Sequence, residues 1–498
     1  RGPQVQLVPR DELKSPRRHL RNGAAMLAGL GLGAAWYWID REHNLADWDY
    51  PAWQQRFTYE AVRFDNNSFP INFAWHPVSG AAYQLAGRAN GLGLGWSFAY
   101  NLGTSTAWEY VLEFREKVSI NDMIVTPLAG LSIGEFMHRV GQVLAARGAG
   151  GTAFGRALAW LLAPQLLLAD RLEGQARWAR ADATARHHWF RARASIGVAT
   201  ASSSAGTVGL MVMDLGAEVV AIPGFAGVGG AGKATHADGW FQDAEATRGW
   251  LRVGLGPVFE VAVQPDSAGV QTAPSVPGRM RLGETLELFA DTMLFGWQLQ
   301  RWSPVGQVNH ALLIGSSVAF LYRRETLPQW RDRLGLMHLP GPALDGILGF
   351  GSARLRFRVR GHFDLAGIHA EPFERWRQAH LDERPKTILR KQGYYYGWGW
   401  SGRAELALAW RSLELGVRTF AARHDSQERF DRSQEVITAD VPCDDSTLEA
   451  GAWLRLQSPL PWPSLVLEAR ATQRRARVGE FESYRRLDRL DAQLGYLF

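Results

Sequence analysis

Polar side chains are concentrated between Asn66 and His138, in a stretch that is otherwise apolar. His76, Glu109 and Glu113 are of types that perform acid–base chemistry, and we take them as candidate catalytic residues. A buried polar group without a partner costs about 1–3 kcal/mol, so the other polar residues predict a hydrogen-bonded network. Its predicted members are Asn66, Asn67, Asn72, Arg88, Asn90, Glu116, Asn121, Asp122, Glu135 and His138.

Ester hydrolysis is one chemistry that this stretch could support. His76, with Thr106 or Ser119 and a glutamate, would form a set of base, nucleophile and orienting group. The G-x-S-x-G motif of many hydrolases is absent from the sequence. Because any stretch so rich in polar residues offers such a triple, a purely structural network is the competing interpretation.

Metal binding is a second possibility, raised by Glu135 and His138. Their E-x-x-H spacing places both side chains on one face of a helix. Di-iron helical bundles use two such pairs with two further glutamates, whereas this sequence contains a single pair. We therefore predict no metal and no cofactor, and expect both residues to bond to surrounding protein groups.

An acidic stripe is formed by Glu109, Glu113 and Glu116, which recur at helical spacing. Unpaired carboxylates in a dry site would raise one another's pKa and could serve acid–base chemistry. Ion pairing with a basic wall is the alternative that we favour. The candidate partners are four arginines in seven residues, predicted to line a lumen: Arg354, Arg356, Arg358 and Arg360.

Helical periodicity dominates from Asn22 to about Gly174. Residues 1–21 are predicted to be a flexible basic tail, and the start at Arg1 rather than methionine suggests either a removed leader or a trimmed sequence. Gly23–Ile39 is predicted to be a helix packed inside the protein. The further predictions are a helix at Thr104–Ser119, a turn at Asn121–Pro127, a helix at Leu131–Arg147 and a helix kinked at Pro164 within Phe154–Gly174.

From about residue 181 the hydrophobic period becomes two. Arginine alternates with Leu355, Phe357 and Val359, and later stretches also place apolar residues on one face and charges on the other. With alternately short and long connections, this pattern is typical of a transmembrane β-barrel. A soluble antiparallel barrel or sandwich is the alternative. The full charges on the polar face, the 21 tryptophans and the terminal Phe498, with Tyr496 two residues before it, favour the membrane barrel.

The predicted fold class is therefore mainly β, with an α-helical N-terminal part. We expect a transmembrane antiparallel barrel of about 12 strands, within a range of about ten to fourteen. A barrel of this size has room for a plug, so the helices are predicted to lie in or under the lumen. The predicted domains are the tail at 1–21, a helical plug-like domain at 22–180 and the barrel at 181–498.

Charge, cysteine content and the glycine-rich stretch exclude some classes of partner and site. The net charge is +6, with the charges interspersed, which argues against a nucleic-acid surface. Cys443 is the only cysteine, which excludes a disulfide framework. The glycine-rich stretch at 227–232, followed by Lys233, lacks the spacing of a phosphate loop, and we interpret it as a flexible outer loop.

The segment of about residues 35–145 resembles a bacterial family known as domain of unknown function 3943. The resemblance implies an outer-membrane or envelope protein of Gram-negative bacteria, and it implies no activity. It rests on Asp65-Asn66-Asn67, His76-Pro77 with Gly80 and Tyr83, Arg88-x-Asn90-Gly91, Trp108-Glu109-Tyr110, Glu113 with Glu116, Ser119-Ile120-Asn121-Asp122, Thr126-Pro127 and Gly134-Glu135.

The expected function is that of a bacterial outer-membrane protein with a structural, gating or transport role and an internal helical plug. The alternative is an outer-membrane lipid or ester hydrolase that uses the polar cluster of residues 66–138. The expected partners are outer-membrane lipid and lipopolysaccharide, together with other envelope proteins, and no nucleic acid.

Overall fold

The computed structural model describes most of the chain. The predicted tail up to residue 15, Glu116, the glycine-rich stretch at 227–232 and Lys233 lie outside the described residues. The described ranges are 16–39, 56–58, 62–113, 117–148, 153–172, 189–204, 206–222, 235–259, 280–302, 308–327, 330–426, 437–458 and 462–497.

The N-terminal part is a helical unit tied by one short parallel strand pair. Val62–Arg63 (β1) pairs with Val118–Ser119 (β2). The helices are α1 Pro16–Ile39, α2 His76–Ala89, α3 Leu94–Ala107, α4 Ile120–Gly148, α5 Ala153–Leu162 and α6 Pro164–Leu172, with π-helical turns at Ile71–Trp75 and Trp108–Leu112.

Three helical predictions need correction. The chain is already helical from Pro16, so residues 16–21 belong to α1 rather than to a tail. This helix leaves Leu27, Leu32 and Trp36 exposed, so it is not packed inside the protein. The predicted turn at Asn121–Pro127 forms the first turns of α4, which continues through Pro127. None of the described helices is both long and apolar enough to cross a membrane.

The rest of the described chain is mainly strand. One short helix, α7 Phe373–Ala379, and a π-helical turn at Ile388–Gln392 lie between two of the strands. The strands are β3 Trp189–Ser203, β4 Gly206–Val220, β5 Thr235–Phe241, β6 Ala246–Phe259, β7 Met280–Trp302, β8 Val308–Leu327, β9 Trp330–Phe350, β10 Ala353–His369, β11 Tyr394–Trp410, β12 Leu413–Ser426, β13 Cys443–Leu456, β14 Ser464–Val478 and β15 Phe481–Leu497.

These strands close into an antiparallel barrel with 12 strand positions, which confirms the predicted count. Apart from β5, each strand pairs with the next along the chain, so that β4 pairs with β6, β15 returns to β3, and β7 pairs with both β6 and β8. β5 pairs with the part of β7 that lies beyond β6. The two strands therefore occupy a single strand position in the barrel, interrupted at residues 242–245.

The two faces of the barrel wall differ in polarity. Ile196, Met211 and Val417 face outward and are exposed, whereas Asp214 and Arg252 face inward and are buried. An apolar outer surface around a charged interior is the reverse of a soluble protein. It is the architecture of a transmembrane barrel.

The lumen is filled by side chains of the wall itself. Arg252 reaches across from β6 to Glu468 on β14 at 3.1 Å, and Arg323 reaches from β8 to Glu449 on β13 at 2.9 Å. Beyond these pairs, at the end away from the chain termini, Trp376 of α7 packs in an apolar cluster of inward-facing residues. The interior is therefore closed by ion pairs and capped by the barrel's own long connection.

The helical unit packs on the outside of the barrel. Val140 and Val143 of α4 pack against the outward-facing Val219 of β4. Farther round the wall, Ser132 donates a hydrogen bond to the carbonyl oxygen of Ala290 on β7 at 2.8 Å. The predicted plug is therefore not confirmed. The described helices cover the outer wall, and ion pairs between strands occupy the lumen in which the plug was expected.

Candidate functional site

The contact between helices and barrel wall is an apolar layer with polar side chains embedded in it. Phe73, in the π-helical turn before α2, lies over two outward-facing glycines, Gly335 on β9 and Gly367 on β10. A Cβ atom at either glycine would lie about 2 Å from the Phe73 ring (2.2 and 2.1 Å). The wall therefore has a depression, made by missing side chains, that receives this ring.

Asp65 is the hub of the polar network. Its Oδ1 atom accepts hydrogen bonds from Asn72 at 2.6 Å and from the Tyr396 hydroxyl of β11 at 2.8 Å. The amide of Asn67 donates to Oδ2 at 2.5 Å, and the Tyr394 hydroxyl donates to the Asn67 carbonyl oxygen at 2.9 Å. Two tyrosines of the barrel thus hold the loop that leads into the helices.

The start of α4 extends this network. Asn121 accepts hydrogen bonds from the Asp65 backbone N–H at 2.9 Å and from the Ser119 hydroxyl at 2.8 Å. Its own amide donates to Asp122 at 2.7 Å. Glu109 is buried and accepts a hydrogen bond from the Ser119 backbone N–H at 2.8 Å. The bond between Asp65 and Asn121 joins residues 56 positions apart, and the local bonds hold Asn121 in place for it, so the network fixes the internal packing of the unit.

His76 is the candidate base, and it lies beside a carboxyl group. Its Nδ1 atom is 3.2 Å from Asp122 and 3.3 Å from the Thr126 hydroxyl. Burial lowers the pKa of His76 below its ordinary value. Burial, followed by the charges of nearby acidic residues, raises the pKa of Asp122 well above its ordinary value. Both shifts favour a neutral imidazole beside a neutral carboxyl group.

The predicted hydrolase set is not assembled around His76. The Ser119 hydroxyl donates to Asn121, and the Thr106 hydroxyl donates to the carbonyl oxygen of Leu102 on an exposed face. Glu109 is held by Ser119, and Glu113 is half-buried at the end of the π-helical turn. His76 therefore has a carboxyl neighbour but neither of the predicted nucleophiles.

A second polar contact joins the helices to the barrel at the interruption between β5 and β6. Arg88 donates two hydrogen bonds to Asp243, at 2.9 and 3.1 Å, and Arg139 lies 3.2 Å from the same carboxylate. Ala244 adopts a left-handed backbone conformation, with a φ of 52°, which lets the chain turn out of the wall there. We call Asp243 and these two arginines the clamp.

Glu135 supports the clamp from within the helical unit. Its Oε1 atom accepts a hydrogen bond from Gln84 at 2.7 Å and lies 3.2 Å from Arg88. Burial raises the pKa of Glu135. His138, its partner in the E-x-x-H pair, is also buried. Asn90 bonds to Asn22 of α1 at 3.2 Å, so the network also reaches the first helix.

The lumen arginines do not pair with the acidic stripe of the helices. Arg360 binds Asp291 at 3.0 Å and Asp345 at 2.7 Å, and Arg358 binds Asp345 at 2.9 Å. These partners belong to the barrel, so the predicted ion pairs with the helices are not formed. The arginine side chains point into the lumen, whereas the helices pack on the outer face of the strands. The carboxylates that Arg356 approaches among the described residues lie farther away, at 3.6 and 3.8 Å, and Arg354 is exposed.

The lumen also contains a histidine cluster that sequence reasoning missed. Asp364 accepts contacts from His338 at 2.7 Å and from His424 at 3.0 Å, and the Ser401 hydroxyl lies 3.0 Å from His338. Asp364 and Ser401 contact the same nitrogen of His338, so the three groups do not form a proton relay. Period-two alternation predicts that these residues face inward, but it does not predict which residues of different strands contact each other.

A metal site would need several ligands around one point. Among the residues that the structure describes, no three His, Cys, Asp or Glu side chains are grouped to hold a metal ion. In the histidine cluster the ring nitrogens contact Asp364 directly at hydrogen-bond distance, which leaves no gap for an ion.

Comparison with known proteins supports the sequence-based resemblance. The family model described as "Domain of unknown function (DUF3943)" matches residues 61–165, so it covers most of the described helical unit and none of the barrel. No curated protein matches the chain.

Solved structures similar to the chain are bacterial barrels. The translocator domain of autotransporter NalP from Neisseria meningitidis is 10% identical, with 66% of this chain and 95% of that chain covered and a TM-score of 0.21. The outer membrane protein opdK from Pseudomonas aeruginosa is 10% identical, with 62% and 99% covered and a TM-score of 0.20. These scores are low, and the barrel assignment rests on the closed strand order and wall polarity described above.

Proposed function

We propose that this chain is a bacterial outer-membrane β-barrel protein with a structural role, and that its N-terminal helices form a layer against the membrane-facing wall. The observation that carries the proposal is the pairing of charges across the lumen. Arg252 with Glu468 and Arg323 with Glu449 join strands that are four and five positions apart around the barrel, and the apolar cluster around Trp376 covers one end. An interior so filled supports anchoring rather than the passage of solutes.

The polar layer under the helices supports the same role. Asp65, Asn72 and Asn121 bond to protein groups from four separate segments, including Tyr396 of the barrel. A catalytic centre requires a cleft that exposes its base, whereas His76 is largely buried between Asp122 and Thr126. The hydrolase alternative therefore receives no support from the geometry.

The exposed face of the helices fits a lipid surface. Leu20, Leu27, Leu32 and Trp36 of α1 are exposed, as are Trp96 and Leu102 of α3. At the contact of α2 with α4, a Cβ atom on Gly80 would lie 1.8 Å from the Thr126 carbonyl oxygen. Such close approach through small residues is common between helices in membranes. We propose outer-membrane phospholipid or lipopolysaccharide as the neighbour of this face.

Conductance tests the closed lumen. The purified full-length chain, inserted into a planar lipid bilayer, is expected to give no stepwise single-channel currents, while a porin inserted in the same way gives them. Steady open-channel currents from the wild-type chain would contradict the structural role.

Labelling tests the lipid contact. Because Cys443 is the only cysteine, Cys443→Ser provides a background in which Leu27→Cys can carry an environment-sensitive fluorophore. In vesicles we expect blue-shifted emission for Leu27→Cys and water-like emission for Asp382→Cys, an exposed position in the connection that caps the barrel. Water-like emission at both positions would place the helices away from lipid.

A further inference from the structure

The lumen contains a basic cavity at the end of the barrel where β3 begins and β15 ends. Its volume is about 130 Å³, enough for several waters or one small oxyanion. It lies nearer to the chain termini than the ion pair between Arg323 and Glu449, so the filled part of the lumen closes it on its inner side. Nine arginines and five carboxylates line it: Arg191, Arg193, Arg248, Arg252, Arg356, Arg358, Arg403, Arg418 and Arg455, with Asp214, Glu218, Glu405, Glu414 and Glu468.

The positive charge of this cavity is incompletely balanced. Asp291 and Asp345, behind the lining, bind Arg248 and Arg358, but both also serve Arg360. Even with these two acids included, arginines outnumber carboxylates. Burying cations without counter-charges is costly, so the folded barrel gains stability from an anion that enters this space.

Arg403 is the clearest unbalanced cation. Its guanidinium lies 4.4 Å from the centre of the Phe289 ring and 5.1 Å from that of Trp250. Among the described residues, no carboxylate oxygen lies within ion-pair distance of it. Ring faces attract a cation but do not neutralise its charge, so this guanidinium is available to an incoming anion.

Unused hydrogen-bond donors provide a second, independent observation. Within the described part of the chain, Nη2 of Arg248 and Nε of Arg455 have no hydrogen-bond partner, and the side chains of both residues are more than nine-tenths buried. The Nε atoms of Arg193, Arg356 and Arg418 also lack a partner among the described residues. Buried N–H groups normally have partners, and five on the lining of one cavity indicate a missing acceptor.

We propose that this cavity binds a small oxyanion of the phosphate class. Guanidinium groups hold phosphate oxygens through paired N–H donors, which matches the unused donors present. Arg191 and Arg193, whose side chains are 19% and 30% exposed, lie at the mouth and give the anion a way in. The site is a basin closed on its inner side, so it retains an anion rather than conducting it.

Calorimetric titration of the detergent-solubilised full chain with inorganic phosphate tests this site, with chloride at matched ionic strength as the comparison. We expect saturable binding of phosphate and none of chloride. Arg403→Gln breaks no ion pair and is expected to weaken binding at least tenfold. Arg354→Gln, an exposed arginine of β10 outside the lining, is the matched control and should bind as the wild type does.

Equal responses to phosphate and chloride in the wild-type protein would overturn the proposal, and this arm needs no variant to fold. Unchanged phosphate affinity in Arg403→Gln would also overturn it. A second titration, with vesicles of phosphatidic acid, distinguishes the sources of the phosphate group. Competition with inorganic phosphate would identify a lipid headgroup as a ligand of the same cavity, and lack of competition would restrict the site to free anions.

Discussion

The lumen and the layer beneath the helices are both polar regions buried by this chain, but they bury charge in different ways. In the lumen, arginines meet carboxylates both on the neighbouring strand and across the barrel, as Arg323 meets Glu287 on β7 and Glu449 on β13. Under the helices, Asp65 is surrounded by neutral donors, chiefly Asn72 and Tyr396. Removing one partner in the lumen leaves a bare charge, whereas under the helices it leaves a weakened hydrogen-bond set. The two regions should therefore respond differently to substitution and to pH.

The largest effect is expected from Arg323→Met. This change leaves Glu287 and Glu449 short of a cation, and loss of one partner from a buried ion pair typically costs about 3–5 kcal/mol. Thermal unfolding of the detergent-solubilised barrel measures the loss. Arg324→Met is the matched control, since its side chain is 47% exposed and its neighbour Glu284 lies 3.7 Å away. Similar melting temperatures for the two variants would show that the lumen pairs carry little stability.

Overpacking the helix contact comes next. Gly367→Ala places a methyl group against the Phe73 ring and is expected to cost about 1–3 kcal/mol, mostly by displacing the helices from the wall. Limited proteolysis should show faster cleavage within residues 62–172 while the barrel stays resistant. Gly209→Ala, on the exposed outer face of β4 with open space around it, serves as the control. Unchanged cleavage would mean that Phe73 does not hold the unit in place.

A smaller loss is expected from Asp243→Asn, which removes the anion of the clamp. Arg88 and Arg139 would then lose the carboxylate they share, although Glu135 stays 3.2 Å from Arg88, and the Asp243 side chain is 35% exposed, so solvent screens part of the effect. We expect about 1–2 kcal/mol, detected as faster amide exchange in α2 and α4. Asp238→Asn, an exposed position on β5, is the control. Wild-type exchange rates in Asp243→Asn would remove the clamp from the docking interface.

The subtlest test uses pH. The pKa of Asp122 is raised in the folded chain, so its contribution to stability is complete at low pH and is lost as the pH rises through the folded value. Asp122→Asn cannot ionise. It should therefore keep the helices docked as the pH rises through the range in which the wild type loosens. Amide exchange of α4 across a pH series measures the difference, with exposed Asp382→Asn as the control. Parallel pH curves for wild type and Asp122→Asn would show that this carboxyl group does not control docking.

The barrel was predictable because its information is local. Each strand carries the period-two alternation in its own residues, and the arginines at 356, 358 and 360 show it most clearly. The pairing of those arginines was not predictable. Asp345 lies on the adjacent strand β9, but Asp291 lies on β7, 69 residues before Arg360, and only the folded barrel brings it to the same guanidinium.

The position of the helices was hidden for a different reason. Outward-facing Phe320 and Met337 are apolar and fully buried, but a lipid-facing wall has the same composition. Alternation therefore cannot distinguish strands covered by lipid from strands covered by helices. The remaining signals of helix contact are weak. They are the tyrosine hydroxyls at Tyr394 and Tyr396 on an apolar face, and the acidic residue Asp243 in the interruption between β5 and β6.

The contact of Asp65 with Tyr396 has a consequence for the order of assembly. The helices come first in the chain, but the tyrosines that complete their polar network arrive with β11, after most of the barrel sequence. The Asp65 network can therefore be completed only once β11 has taken its place in the wall, so this contact forms after the strands before β11 have been made.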